Sequence, residues 1–309
     1  MTTLLLSHLA CHNHLTPQGH PERPDRLRAI ERALEHEKFQ TLAREQAPMA
    51  SLETVALAHP MDYVEQVREA SPREGMVRLD GDTTMSPGTF EAVMRAAGGA
   101  CQAVDEVMAG KVANAFVATR PPGHHAETAT PMGFCLFNNA AIAARHAQKQ
   151  HGAERVAIVD FDVHHGNGSQ DIFWNDPTVM YCSTHQMPLY PGTGAVSERG
   201  ARNTIVNAPL RPGDGGDQFR QAMETAILPR LEDFGPDLII ISAGFDAHMR
   251  DPLANLNFLE PDYTWVTQKL MELADRRANG RVVSVLEGGY DLEGLAKSVA
   301  AHVTALMRG

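Results

Sequence analysis

Only four cysteines occur in 309 residues, Cys11, Cys101, Cys135 and Cys182, scattered without a Cys-x-x-Cys pair. That suits free thiols in a reducing compartment better than a disulfide framework, with Cys135 read as a small buried thiol. Positive charge is also scarce: 27 Lys and Arg against 38 Asp and Glu leave a formal charge of −11 and a pI near 5.7. Such a balance argues against direct nucleic acid binding and favours cationic ligands or partners. Long apolar runs are missing too. The N-terminal one covers only residues 4–6 with no basic region before it, and no segment approaches ~18 apolar residues. No membrane span or leader is expected, and the chain reads as soluble and cytoplasmic. Linkers, internal repeats and low-complexity runs are absent as well, while 43% hydrophobic content is enough for a sizeable core. One domain is expected over residues 1–309.

Against those absences stand four strand-like apolar runs, each followed by a polar cluster. Residues 155–159 lead into Asp160-Phe161-Asp162-Val163-His164-His165-Gly166-Asn167-Gly168. Residues 113–119 lead into Arg120-Pro121-Pro122-Gly123-His124-His125, residues 237–242 into Ala243-Gly244-Phe245-Asp246-Ala247-His248, and residues 281–286 into Glu287-Gly288-Gly289-Tyr290. A further strand is expected at 179–184 and a short first one at 3–6. Helices are expected from Pro24-Asp25 onward and over 60–70, 88–109, 137–151, 216–234, 261–278 and 292–307. Strands alternating with helices of this length predict an α/β fold, a mainly parallel sheet flanked by helices on both faces. Ligands of such sheets lie beyond the carboxyl ends of the strands, so the four clusters should converge. The aperiodic stretches 75–87, 120–136, 185–202 and 244–259 are long for loops. Three of the four adjoin the clusters and are expected to wall a pocket.

Asp162 and His164, two apart on extended chain, can aim at one point, and carboxylate oxygen with imidazole nitrogen suits zinc. With Asp246 they supply the three ligands of a catalytic zinc that keeps one position open. Zinc activates water and polarises a carbonyl, which makes amide or ester hydrolysis the natural reaction. His124 and His125 are candidate acid and base, with Asp160 and Asn167 the nearest orienting partners. Tyr290, on a Gly-Gly turn, can donate a hydrogen bond to a substrate oxygen. No nucleophile elbow or nucleotide-binding glycine loop competes.

These motifs, with Gly133-Phe134-Cys135 and Tyr190-Pro191-Gly192-Thr193-Gly194, resemble the zinc-dependent histone deacetylase family over nearly the whole chain, from the His20-Pro21-Glu22-Arg23-Pro24 loop to Tyr290. Asn167 stands where class I members have Asp, which makes the chain more similar to the class II branch and its bacterial relatives, including acetylpolyamine amidohydrolases. The resemblance implies the arginase/deacetylase-like three-layer fold. It makes His125 the general base, His124 with Asp160 its electrostatic partner, and Tyr290 the carbonyl-polarising donor. Phe134 and Tyr190 would line a narrow channel for the acetylated alkyl chain, the Gly133 carbonyl would accept the amide hydrogen, and Asp82 would accept from the substrate backbone at the rim. The family also binds structural potassium: Asp160, Asp162, His164, Ser183 and Thr184 match one site, and Phe173, Asp176 and Val179 a second.

The implied substrates are acetyl-lysine side chains or acetylated polyamines. Polyamine-selective relatives can carry an acidic residue at the tunnel mouth, where this chain has Leu253 after Asp251-Pro252; that tilts the reading toward acetyl-lysine or a broad acyl-amine range. An acidic rim of Asp80, Asp82 or Glu127 could still attract a cation. A ureohydrolase with two manganese ions would need carboxylates at the positions of Gly166 and His248. A silent acetyl-lysine binding module is at odds with the retained Tyr290, both histidines and all three ligands. His8, His12, His14, His20, His59, His146, His151 and His302 have no ligand spacing and are expected to be surface or structural, while His165 and His248 adjoin ligands without being needed as ligands. Oligomeric state is not legible.

Overall fold

The computed structural model describes residues 2–308. In chain order the strands and helices are β1 (Thr3–Ser7), α1 (Asp25–Leu34), β2 (Ala43–Gln46), α2 (Leu52–Val55), α3 (Met61–Glu69), β3 (Val77–Arg78), β4 (Thr84–Met85), α4 (Thr89–Met108), β5 (Asn114–Val117) and α5 (Asn139–His151). There follow β6 (Val156–Asp160), α6 (Asn167–Phe173), β7 (Val179–Gln186), β8 (Ile205–Leu210), α7 (Gly216–Ala222), α8 (Leu228–Phe234), β9 (Leu238–Ala243), α9 (Glu260–Arg277), β10 (Val282–Leu286) and α10 (Leu292–Leu306). Eight strands form one parallel sheet in the order β2-β1-β5-β10-β9-β6-β7-β8.

Period-two alternation within buried strands builds three layers. Leu5, Phe116, Val159, Ile239 and Ile241 pack to one face with residues of α1, α9 and α10, whereas Leu4, Leu6, Val117, Ile158, Ile240 and Val285 pack to the other with residues of α4 and α5. Strands covered on both sides must be apolar almost throughout, which is why the central ones read so plainly in the sequence.

The four strands followed by polar clusters, β5, β10, β9 and β6, are the four adjacent central strands. Register aligns their ends: Leu286 lies beside Ala243, and Asp160 beside Ser242. The clusters therefore leave the sheet side by side at its carboxyl edge, as expected.

Several expectations are corrected. The helix expected over 216–234 is divided into α7 and α8 by a π-helical turn at Met223–Ile227. Pro229, in the first turn of α8, has no N–H to donate back to the preceding turn, and the π turn accommodates that gap. Two edge strands went unforeseen. β2 is polar and mostly exposed, and β8 carries Asn207 and Pro209, which mask its periodicity. Short α6 begins on Asn167-Gly168, residues of poor helix propensity. The stretch 75–87 contains the small antiparallel pair β3 and β4.

Candidate active site

Asp162, His164 and Asp246 meet beyond the ends of β6 and β9. One potential ligand atom from each lies within 4.8 Å of the others, and all three residues are buried. His164 Nδ1 is 3.2 Å from Asp162 Oδ1 and 3.1 Å from Asp246 Oδ2. Backbone amides hold the carboxylates in place: Val163 N donates to Asp246 Oδ1 at 2.9 Å and Gly288 N to Asp162 Oδ2 at 2.8 Å. A Cβ on Gly288 would sit 2.2 Å from Asp246 Oδ2, so only glycine lets β10 close over the cluster. Burial pulls the His164 imidazole down, but its hydrogen bonds to Asp162 and Asp246 outweigh this and raise it to about 10. Two buried carboxylates around one imidazole thus favour a positive charge at their centre. This donor set of two oxygens and one nitrogen fits a divalent ion of the zinc kind.

Both motif histidines stand over this cluster, their rings 4.0 Å apart. His124 Nδ1 is 2.9 Å from Asp160 Oδ2, and His125 Nδ1 is 2.8 Å from Asn167 Oδ1. The amide of Asn167 has a defined orientation, because its Nδ2 donates to Glu127 Oε1 at 2.8 Å and so leaves Oδ1 to accept. His125 must then carry its proton on Nδ1 and keep a lone pair on Nε2. Burial lowers the His125 pKa well below the ordinary range, aided by the positive charges of His124 and His164. For His124 burial acts the same way, but Asp160 and Asp162 overcome it and raise the imidazole well above the ordinary range. Adjacent residues are thereby divided into a charged imidazole and a neutral one.

A cavity of about 220 Å³ opens over them, lined by Asp82, His125, Gly133, Phe134, His164, Leu189, Tyr190, Leu253 and Tyr290. Gly133, Phe134, Tyr190, Asp82 and Leu253, expected from the sequence to contact substrate, are in this wall, whereas the rim candidates Asp80 and Glu127 are not, and each of the four aperiodic stretches contributes to it. Leu189 was missed; only its place beside Tyr190 could have signalled it. The rings are set edge to face, His125 against Tyr190 at 5.2 Å and Phe134 against Tyr290 at 5.9 Å. Gly133 (φ +57°) and Phe134 (φ +68°) are both left-handed. A Cβ on Gly133 would meet His125 Cδ2 at 2.4 Å, so backbone and imidazole touch here. For Phe134, a bulky residue at positive φ is a strained arrangement of the kind concentrated at functional sites.

Charged supports that sequence reasoning did not identify hold Tyr290. Arg26, fully buried, donates from Nε to Gly289 O at 2.6 Å and lies 4.9 Å from the Tyr290 ring centroid. Its Nη1 pairs with Glu22 Oε1 at 3.1 Å, and Arg120 also grips Glu22, through Nη2 at 2.6 Å and through Nε. Burial would raise the Glu22 carboxyl, but Arg120 and His14 hold it well below the usual carboxylate range. Asp251 receives Tyr290 N at 2.7 Å and Leu253 N at 3.0 Å, so a single carboxylate sets two residues of the wall. Burial, helped by the charge of Asp246, pushes Asp251 up to about 7. Glu287 ties three strand ends together, accepting from Gly123 N at 2.7 Å, His124 N at 3.1 Å and Ser242 Oγ at 3.0 Å. The Glu22-Arg23-Pro24 and Asp251-Pro252 segments were the available signals, yet nothing local announces that such charges are buried.

The remaining sequence candidates divide. Asp160 and Ser183 are register partners, and Asp160 Oδ1 accepts from Asp162 N at 3.1 Å. Ser183 Oγ meets His185 Nδ1 at 2.8 Å, whereas Thr184 Oγ1 is buried without a hydrogen-bond partner among the described residues. Asp176, with Phe173 and Val179 nearby in sequence, is occupied by Arg145 Nη1 at 2.5 Å, whose guanidinium also covers the Phe173 ring at 4.8 Å. His165 and His248 stay outside the three-ligand cluster. His165 bonds Thr193 at 2.7 Å and so anchors the Tyr190 loop, and His248 is 3.9 Å from Glu260.

A parallel α/β sheet with two adjacent buried histidines and a three-residue cluster of possible metal ligands beneath an aromatic-lined cavity is the arrangement of a hydrolytic site. The family profile of the Histone deacetylase domain matches residues 20–306. The chain is 42% identical over 310 residues to Histone deacetylase 10, chloroplastic, of Oryza sativa subsp. japonica, covering 94% of this chain and 70% of that protein. It is 40% identical over 277 residues to the Histone deacetylase-like amidohydrolase of Pseudomonas aeruginosa (88% and 73% covered). A Probable deacetylase of Archaeoglobus fulgidus is 38% identical (100% and 87% covered). The crystal structure of the HDA15 HD domain superposes with a TM-score of 0.94 at 36% identity, covering 99% of this chain and 88% of that one. The chain belongs to the histone deacetylase family and is a hydrolase. No helix among the described residues is long and apolar enough to cross a membrane.

Proposed function

We propose that the protein is a zinc-dependent deacetylase that removes acetyl groups from acetyl-lysine side chains of proteins, or from a broad range of acyl-amines. One observation carries the reading: three convergent ligands lie under a tunnel whose wall includes His125 and Tyr290. When bound by Asp162, His164 and Asp246, zinc supplies Lewis acidity toward water and the acyl carbonyl.

The chain's own residues do the rest. Phe134 and Tyr190 hold the methylene chain between their rings, and the Gly133 carbonyl accepts the substrate amide hydrogen. With Nδ1–H given to Asn167, His125 uses the Nε2 lone pair to take a proton from the attacking water and later returns it to the departing amine nitrogen. His124, kept charged by Asp160, stabilises developing negative charge and keeps its neighbour neutral until that step. The Tyr290 hydroxyl donates to the carbonyl oxygen as it becomes an oxyanion.

Potassium belongs to this reading as a structural ion at Asp160, Asp162, His164, Ser183 and Thr184, supported by the unpartnered Thr184 Oγ1. At Phe173, Asp176 and Val179 a second ion would rely on backbone carbonyls, the Asp176 carboxylate being taken by Arg145. The whole chain is read as one deacetylase domain, supported by its single eight-stranded sheet. A cytoplasmic setting is supported by four free, buried cysteines.

Acetylpolyamine hydrolysis is the second reading. Asp82 lies in the wall, and the negative charges of Asp82, Asp80 and Glu127 reinforce burial in raising the Tyr190 pKa. A cationic tail would be attracted to that rim. The test is kcat/KM of the zinc-loaded protein on an acetyl-lysine peptide beside N-acetylputrescine and acetylspermidine. A peptide preference sustains the first reading, and a polyamine preference replaces it with the second.

A further inference from the structure

On the far side of the molecule from the tunnel, three residues without ligand spacing in the sequence converge. Asp105 belongs to the last turn of α4, while His146 and His151 lie toward the end of α5. Asp105 Oδ1 is 2.7 Å from His146 Nε2 and 2.6 Å from His151 Nε2. The two imidazole rings are 6.0 Å apart, and all three ligand atoms fall within 4.8 Å of one another.

We propose that Asp105, His146 and His151 form a second, independent binding site for a divalent transition metal of the zinc class, clamping the C-terminal ends of α4 and α5 together. Both imidazoles present the same nitrogen, Nε2, to one oxygen, while Asp105 Oδ2 makes no hydrogen bond among the described residues. Two imidazole nitrogens from different turns of one helix and a carboxylate oxygen from another, all within 4.8 Å of one another, are close enough for a single cation to take a place between them. Two imidazoles and a carboxylate form a borderline donor set that selects zinc, cobalt, nickel or copper over magnesium or calcium. Bonds of about 2.0–2.1 Å in a tetrahedral site put ligand atoms about 3.3 Å apart, so each imidazole nitrogen needs to draw back from Asp105 Oδ1 by only about 0.6–0.7 Å. The histidine side chains are 13% and 23% exposed and that of Asp105 46%, which leaves an open approach and room for solvent as a further ligand. Both helices also direct the negative ends of their dipoles toward this region, and a cation there is favoured.

The experiment measures zinc per chain after equilibration with buffered micromolar free zinc. Asp162→Ala removes the site under the tunnel, so the two sites can be counted separately. The expected values are two equivalents for the wild type, one for His146→Gln/His151→Gln with deacetylase turnover unchanged, one for Asp162→Ala, and none when all three changes are combined. Zinc content indifferent to the histidine substitutions, in either background, overturns the proposal. An equivalent that depends on the histidines but none that depends on Asp162 would sustain this site while refuting the ligand set of the proposed active site. If Asp162→Ala does not fold, wild type against the surface double variant decides alone. With Co2+ as probe, visible d–d absorption that survives loss of Asp162 and vanishes with the two histidines reports the same site optically.

Discussion

Replacing Tyr290 by Phe removes one oxygen from the tunnel wall and leaves the rest of the residue supported. The Tyr290 hydroxyl makes no hydrogen bond among the described residues, so its loss strands no buried partner. Three supports of the residue are independent of that oxygen: Asp251 receives its backbone N at 2.7 Å, Arg26 lies 4.9 Å from the ring centroid, and the edge of Phe134 is 5.9 Å away. Unfolding free energy should therefore change by no more than about 0.5 kcal/mol, the ordinary scatter of substitutions that break no contact. Catalysis should respond very differently. Removal of a single oxyanion donor from a site shielded from water costs about 2.7–4 kcal/mol of transition-state stabilisation, or about 10²–10³ in kcat. Steady-state kinetics on an acetyl-lysine peptide, with zinc content and a urea melt of the same preparations, separates the two effects. Turnover within about threefold of wild type with zinc retained would remove Tyr290 from the mechanism.

Three further predictions use neighbouring features. In Asp251→Asn one acceptor oxygen must serve the amides of Leu253 and Tyr290 that two oxygens serve now, so stability should fall by about 1–3 kcal/mol in a denaturant melt and kcat should drop with it. Wild-type stability with reduced kcat would contradict this. Gly133→Ala places a methyl 2.4 Å from His125 Cδ2 at φ +57°, and, with His125 as the proposed base, its displacement should lower kcat by about 10²-fold while the chain still binds zinc; an unaltered rate would show that His125 tolerates the shift. His302 is buried neutral between Thr267 Oγ1 (2.6 Å) and Ser284 Oγ (2.8 Å), and burial lowers its pKa from 6.5 to about 3. The unfolded chain binds this proton below about pH 6.5 and the folded chain does not, so its share of stability is complete above 6.5 and declines by about 1.4 kcal/mol per pH unit from there toward 3. Urea melts at pH 7 and pH 5 should show a smaller acid loss for His302→Gln, and an equal loss would refute the assignment.

The parts of the fold legible in the sequence are those where burial dictates composition. β6, β9 and β10 are covered by helices on both faces and had to be continuous apolar runs, and their polar successors at the carboxyl edge stood out against them. β2 and β8, at the two edges of the sheet, need no such runs and gave no comparable signal. Strand order was not legible either, because parallel neighbours are joined through long crossovers rather than through adjacent sequence. For the site, the donors grouped by motif were readable, since Asp162 and His164 or His124 and His125 are local. The groups that support Tyr290, namely Glu22, Arg26, Arg120 and Asp251, reach across the chain: Arg26 and Gly289 are separated by 263 residues. Asp105 with His146 and His151 shows the same limit, since two helices bring together what no spacing connects.

The most direct test of zinc-dependent deacetylation is titration of zinc into metal-stripped protein while acetate release from an acetyl-lysine peptide is followed. Turnover should be negligible without metal and recover on addition of zinc, with no recovery in Asp162→Ala at any zinc concentration. Full turnover of the stripped protein, or recovery by Asp162→Ala equal to wild type, would contradict zinc-dependent deacetylation at this site.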